Sequence, residues 1–118
     1  MIHETFKTDL TNDATLKRKG KTFTYSFKHP TAINRFLAEE EISQGQRVRK
    51  FSIEAFANGK WTPLKDQLVE QGDGLTTIGH RRIVCFPTIK VTKLRFKITD
   101  SKAEPIIRRV GIYLAPET

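Results

Sequence analysis

Along most of the chain, apolar and polar residues alternate in short runs rich in Phe, Ile, Val and Thr, and Gly, Pro, Asn and Asp separate the runs. Such patterning predicts strands, because successive side chains of an extended chain point to opposite faces. Phe23, Tyr25 and Phe27 fall on one face while Thr24, Ser26 and Lys28 fall on the other, and His29-Pro30 reads as the end of that strand. The next run, Asn34 to Glu40, offers Phe36 and Ala38 to one face. After Gly45 the alternation resumes with Phe51, Ile53 and Ala55. Asn58-Gly59 follows at once, a strong hairpin signal because a type I′ turn needs positive φ at both central residues, so Trp61 begins a returning strand.

Gln67 to Gly79 holds Gly72, Asp73 and Gly74 and little apolar content, and it reads as a long loop. Ile83 to Phe86 is bulky enough to be buried on both faces. Leu94, Phe96 and Ile98 alternate with Arg95 and Lys97, and Val110, Ile112 and Leu114 form the last run. Ile33 to Gln46 has some helical composition, but three adjacent acids and Gly45 favour a strand running into a turn. The sum is seven or eight strands in one all-β domain spanning 1–118, a sandwich or a barrel.

Composition narrows the chemistry. A length of 118 residues suits one core, and 37% apolar content is enough to build it. No apolar run approaches the roughly 18 residues that a membrane helix needs, and the polar start Met1 to Asp9 lacks the apolar stretch of a signal peptide. The expectation is therefore no membrane partner. The one cysteine, Cys85, excludes an intrachain disulfide and a cysteine-based zinc site, and its apolar strand marks it as a small buried hydrophobe. Twenty-one basic residues against 13 acidic ones give a net charge of +8, which keeps nucleic acid, acidic glycans and anionic surfaces in view as partners.

His3, His29 and His80 are far apart and form no ligand pair. Glycoside hydrolysis needs two carboxylates flanking one bond, but Glu39, Glu40 and Glu41 are adjacent and no second acidic cluster stands out, so no catalytic residue is expected. Glu40 shares parity with Phe36 and Ala38. A carboxylate so placed needs a partner, for which Arg47 and Arg95 are the candidates. The run Lys17-Arg18-Lys19-Gly20-Lys21 either grips phosphates or is a solvated loop before the Phe23 strand. The absence of interleaved aromatics favours the loop and argues against nucleic acid. His80-Arg81-Arg82, where a loop enters a strand, is either a polar binding cluster or edge solubilisation.

Several strings taken together resemble a known family. Glu40-Glu41-Ile42-Ser43-Gln44-Gly45-Gln46-Arg47-Val48, then Trp61, Thr76-Thr77-Ile78-Gly79-His80-Arg81-Arg82-Ile83, Leu94-Arg95-Phe96, Ala103-Glu104-Pro105-Ile106 and Gly111-Ile112-Tyr113 are similar in order and spacing to the C-terminal domain of bacterial family 29 α-L-fucosidases. The resemblance is strongest over 33–115. It implies a galactose-binding, discoidin-like (F5/8 type C) jelly-roll β-sandwich similar to family 32 carbohydrate-binding modules. It further implies a non-catalytic domain that accompanies a glycoside hydrolase catalytic domain and binds a galactose- or fucose-containing glycan at its end loops, in a periplasmic or secreted setting.

On that reading His80, Arg81, Glu40, Gln46 and Arg47 supply hydrogen bonds to the sugar and Trp61 the aromatic surface. The other reading is a docking domain that stabilises its catalytic partner without touching sugar. Family members open with an Asp-Gly-Asp loop that borders the sugar site and a calcium site; here Thr11-Asn12-Asp13-Ala14-Thr15 is a thin remnant of it. Calcium is the one cofactor the resemblance admits. His80 stands where a Tyr is more usual, and nothing in this chain corresponds to the catalytic barrel.

Overall fold

The computed structural model describes residues 9–41, 45, 47–65, 75, 76, 78 and 81–115. Its elements are a 3₁₀ turn, Leu10–Asp13, followed by β1 (Ala14–Lys19), β2 (Thr22–Glu40), β3 (Val48–Ala57), β4 (Lys60–Pro63), β5 (Leu75–Thr76), β6 (Arg82–Ser101) and β7 (Ile107–Tyr113). All pairings are antiparallel, in the order β1-β2-β6-β3-β4, with β5 on β3 and β7 on β2. The expected all-β sandwich is what forms.

Two long strands build both layers. The first half of β2 pairs with β1 and with the second half of β6, whereas its second half pairs with β7 and with the first half of β6. Between Ser26 and Thr31 the β2–β6 register breaks, and there the sheet folds over. His29-Pro30 therefore does not end the strand. A proline inside a strand costs a ladder hydrogen bond only where one would form, and residues 27–30 have no partner in β6.

The inner faces meet in one core. Phe23, Tyr25 and Phe27 come from the first half of β2, Ile33, Phe36 and Ala38 from its second half. The Phe96 ring lies 5.3 Å from Phe23, 5.2 Å from Phe36 and 5.7 Å from Phe51, so one aromatic joins both layers. Cys85 is buried, as its strand context implied.

Asn58 (φ 53°) and Gly59 (φ 78°) both have positive φ, and Phe56 pairs with Trp61 across the predicted turn. The chain from Gln67 to Gly79 lies outside the described residues except for Leu75–Thr76, a short strand on β3, and the buried Ile78. The basic run is not a loop: Lys17, Arg18 and Lys19 belong to β1, and only Gly20 and Lys21 form the turn to β2. Gly20 at φ 60° takes the first central position, where a two-residue hairpin turn favours glycine. At the other extreme, β7 ends at Tyr113, and Leu114 is exposed instead of closing the core.

Candidate functional site

Because β2 and β6 fold back on themselves, both tips of each strand lie at one end of the sandwich. Val48 pairs with Ser101, Lys21 Nζ donates to Ser101 Oγ at 3.0 Å, and Glu40 reaches Val48. Arg81, Glu40 and Arg47 therefore lie at this end. They do not converge on one hollow. Glu39 and Glu40 are neighbours in β2 and point to opposite faces, as the strand assignment demanded.

On the inner side Glu40 is 1% exposed. Its Oε2 accepts from the backbone N–H groups of Arg47 at 2.7 Å and Val48 at 3.1 Å. The carboxylate thereby holds the end of β2 to the start of β3. The Arg47 guanidinium donates to the Glu104 carbonyl at 2.8 Å, and Arg95 pairs with Glu54 at 2.9 Å. The partner of Glu40 is therefore main chain and not the arginine side chains named from sequence.

On the outer side the buried Glu39 carboxylate receives Arg81 Nε at 3.2 Å and lies 3.7 Å from Arg109 Nη1. Arg109 Nη2 donates to the Tyr113 hydroxyl oxygen at 2.7 Å. Burial, then the Asp9 carboxylate, raise the Tyr113 phenol above its usual range, with Arg109 acting in the opposite sense. Trp61 belongs elsewhere, beside the Asn58-Gly59 turn. Its ring packs edge-on against Phe56 at 5.2 Å, and the Arg95 guanidinium stacks over it at 4.0 Å. His80 and Gln46 lie outside the described residues.

The opposite end holds an arrangement that sequence reasoning passed over. Asp9 caps the 3₁₀ turn: its Oδ1 accepts from Thr11 N at 3.0 Å, from Thr11 Oγ1 at 2.7 Å and, across the fold, from Ile112 N at 3.1 Å. One carboxylate oxygen thus both shapes the turn and pins it to β7. The pinned turn and the fold-over of β2 face each other across a cleft of about 470 Å³, lined by Asn12, Asp13 and Thr15 on one side and Phe27, His29 and Thr31 on the other. Thr31 Oγ1 donates to the His29 carbonyl at 2.8 Å and shapes the bend that carries the imidazole. Asn12, Asp13, Thr15 and His29 are exposed. Carboxylate, amide, hydroxyl and imidazole groups around one hollow make a set that can hydrogen-bond a polyhydroxylated ligand. The remnant Thr11–Thr15 loop was the available signal. His29 gave none, because His-Pro reads as a strand terminator.

No protein-family model matches the chain. A curated relative from Oryza sativa subsp. japonica, "Putative alpha-L-fucosidase 1", is 32% identical over 82 residues, 70% of this chain and 14% of the relative. Among solved structures, a glycoside hydrolase 29 family member from an unknown rumen bacterium superposes with a TM-score of 0.95 at 56% identity, over 99% of this chain and 21% of that one. A Bacteroides thetaiotaomicron protein, described in the same words as the rice relative without its numeral, superposes at 0.79 with 27% identity, over 98% of this chain and 24% of that one. The structural neighbours are thus family 29 α-L-fucosidases, and the chain spans a quarter or less of the length of each of these three proteins.

Proposed function

We propose that the chain is the non-catalytic accessory domain of a family 29 α-L-fucosidase-type hydrolase and binds a galactose- or fucose-containing glycan. The observation that carries the accessory role is coverage: nearly the whole chain superposes on a relative 56% identical, yet it accounts for 21% of that protein. The two-carboxylate requirement of glycoside hydrolysis agrees with this reading, since Glu39 and Glu40 face opposite ways and each is held by partners of its own.

For the sugar we favour the cleft at the fold-over end above the Arg81 end. There the polar tips of Asn12, Asp13 and His29 stand exposed around one hollow, whereas Glu40 and Arg81 are engaged in holding strands. A shallow, open site of this kind supports millimolar to micromolar affinity, about 4 to 8 kcal/mol. Calorimetric titration with fucosyllactose and with lactose tests it. Heat of binding in that range to at least one sugar, lost in His29→Ala with the melting temperature unchanged, is the expected result. Silence toward both sugars from folded protein overturns the sugar reading.

The docking reading has its own support. The Glu39–Arg81–Arg109–Tyr113 array fixes two half-exposed guanidiniums in place, ready for an acidic partner surface. It predicts that the isolated chain melts at a higher temperature once a catalytic domain is added.

A further inference from the structure

Strand register brings together two basic groups that are remote in sequence. Across the outer face of the first layer, Lys17 of β1 stands opposite Thr24 of β2, which stands opposite Arg95 of β6. In the next row Lys19, Thr22 and Lys97 align in the same way, and in the row on the other side Ser26 aligns with Lys93. With strands about 4.8 Å apart, the β1 and β6 cations form two lines separated by about 10 Å, with a line of hydroxyls between them. Lys17, Lys19, Lys93 and Lys97 are all exposed. Glu54 is the acid that the register brings to these rows, and it is matched by Arg95 at 2.9 Å. Among the described residues no carboxylate pairs with the four lysines. Like charges held this close repel, and a ligand carrying several negative charges relieves that repulsion.

We infer that this sheet face binds an acidic polysaccharide, one that carries sulfate or carboxylate groups along a hydroxylated chain. Lysines meet the anionic groups, and Thr22, Thr24 and Ser26, which both donate and accept, meet hydroxyls and anionic oxygens alike. Nucleic acid fits less well. Among the described residues the face is a sheet surface with no projecting element to enter a groove, and no aromatic lies between the cation lines to stack a base. Trp61 is at the margin with its ring under Arg95. This surface is separate from the fold-over cleft, and its binding does not depend on fucose or galactose.

The test titrates the 118-residue chain with dextran sulfate, with unsulfated dextran and with a short duplex DNA at several salt concentrations. Dextran sulfate binds with a negative salt slope, and unsulfated dextran does not bind. Lys17→Glu/Lys97→Glu weakens dextran sulfate binding about tenfold or more, because two contacts and their counterion release are lost. The control Lys90→Glu/Arg108→Glu carries the same net charge but lies off this face, and it weakens binding far less. Lys19→Gln/Lys93→Gln repeats the test with a milder change if the first pair fails to fold. Equal weakening in face and control variants, or tighter binding of duplex than of dextran sulfate, overturns the inference.

Discussion

Tyr25 illustrates what single side chains contribute and how far sequence reveals it. Its parity with Phe23 and Phe27 places the ring in the core, where it is 6% exposed. Burial, and then the Asp9 carboxylate, push its phenol up to about 12. Below about pH 10 the folded and unfolded chains both hold the proton, so this group adds no pH dependence. Between 10 and 12 the unfolded chain releases the proton first, and stability falls by about 2–3 kcal/mol across that window. Denaturant unfolding of Tyr25→Phe should lose that much of the alkaline decline measured for the parent chain. An identical decline in both would mean that the phenol is not held in its neutral form. Alternation announced the burial, but Asp9 becomes a neighbour of Tyr25 only once the 3₁₀ turn is pinned to β7.

At the level of elements, period and turn chemistry carried most of the information. The Asn58-Gly59 hairpin, the inward parity of β3 and the doubly buried start of β6 were all legible in local sequence. The fold-over of β2 was not. Pro30 signals a stop locally, and only the missing β6 partners at residues 27–30 make it harmless within a continuous strand. The Lys17–Lys19 stretch was hidden for a different reason: beyond Ala14 the edge strand β1 is exposed on both faces, so it has little apolar alternation and charge dominated its appearance.

Glu40 belongs to the same scale, because it ties two elements. Parity gave its burial, but its partners are N–H groups supplied by the returning chain, which no side-chain inventory displays. Glu40→Ala removes the acceptor from both N–H groups and should cost about 2–4 kcal/mol in denaturant unfolding, while sugar affinity at the far end is unchanged. A neutral effect on stability would contradict the assigned role.

For the molecule as a whole, the fold separates jobs that the sequence had placed together. The predicted polar cluster splits between the two faces of β2 at the strand-tip end, where it holds the sandwich and presents Arg81 and Arg109 outward. Trp61 sits beside the Asn58-Gly59 turn, and the open polar cleft lies between the 3₁₀ turn and the β2 bend. Net charge gave the sign of the surface field without its location, because Lys17 and Lys97 share a face only through the β1-β2-β6 register.

The proposal that this chain takes a sugar at the fold-over end is tested by following backbone amide chemical shifts during titration with fucosyllactose. The account predicts saturable shifts concentrated in Asn12–Thr15 and in residues 27–31, with the amides around Glu40 and Arg81 unmoved. Shifts centred on Arg81 and Arg47, or none anywhere at saturating sugar, would contradict it.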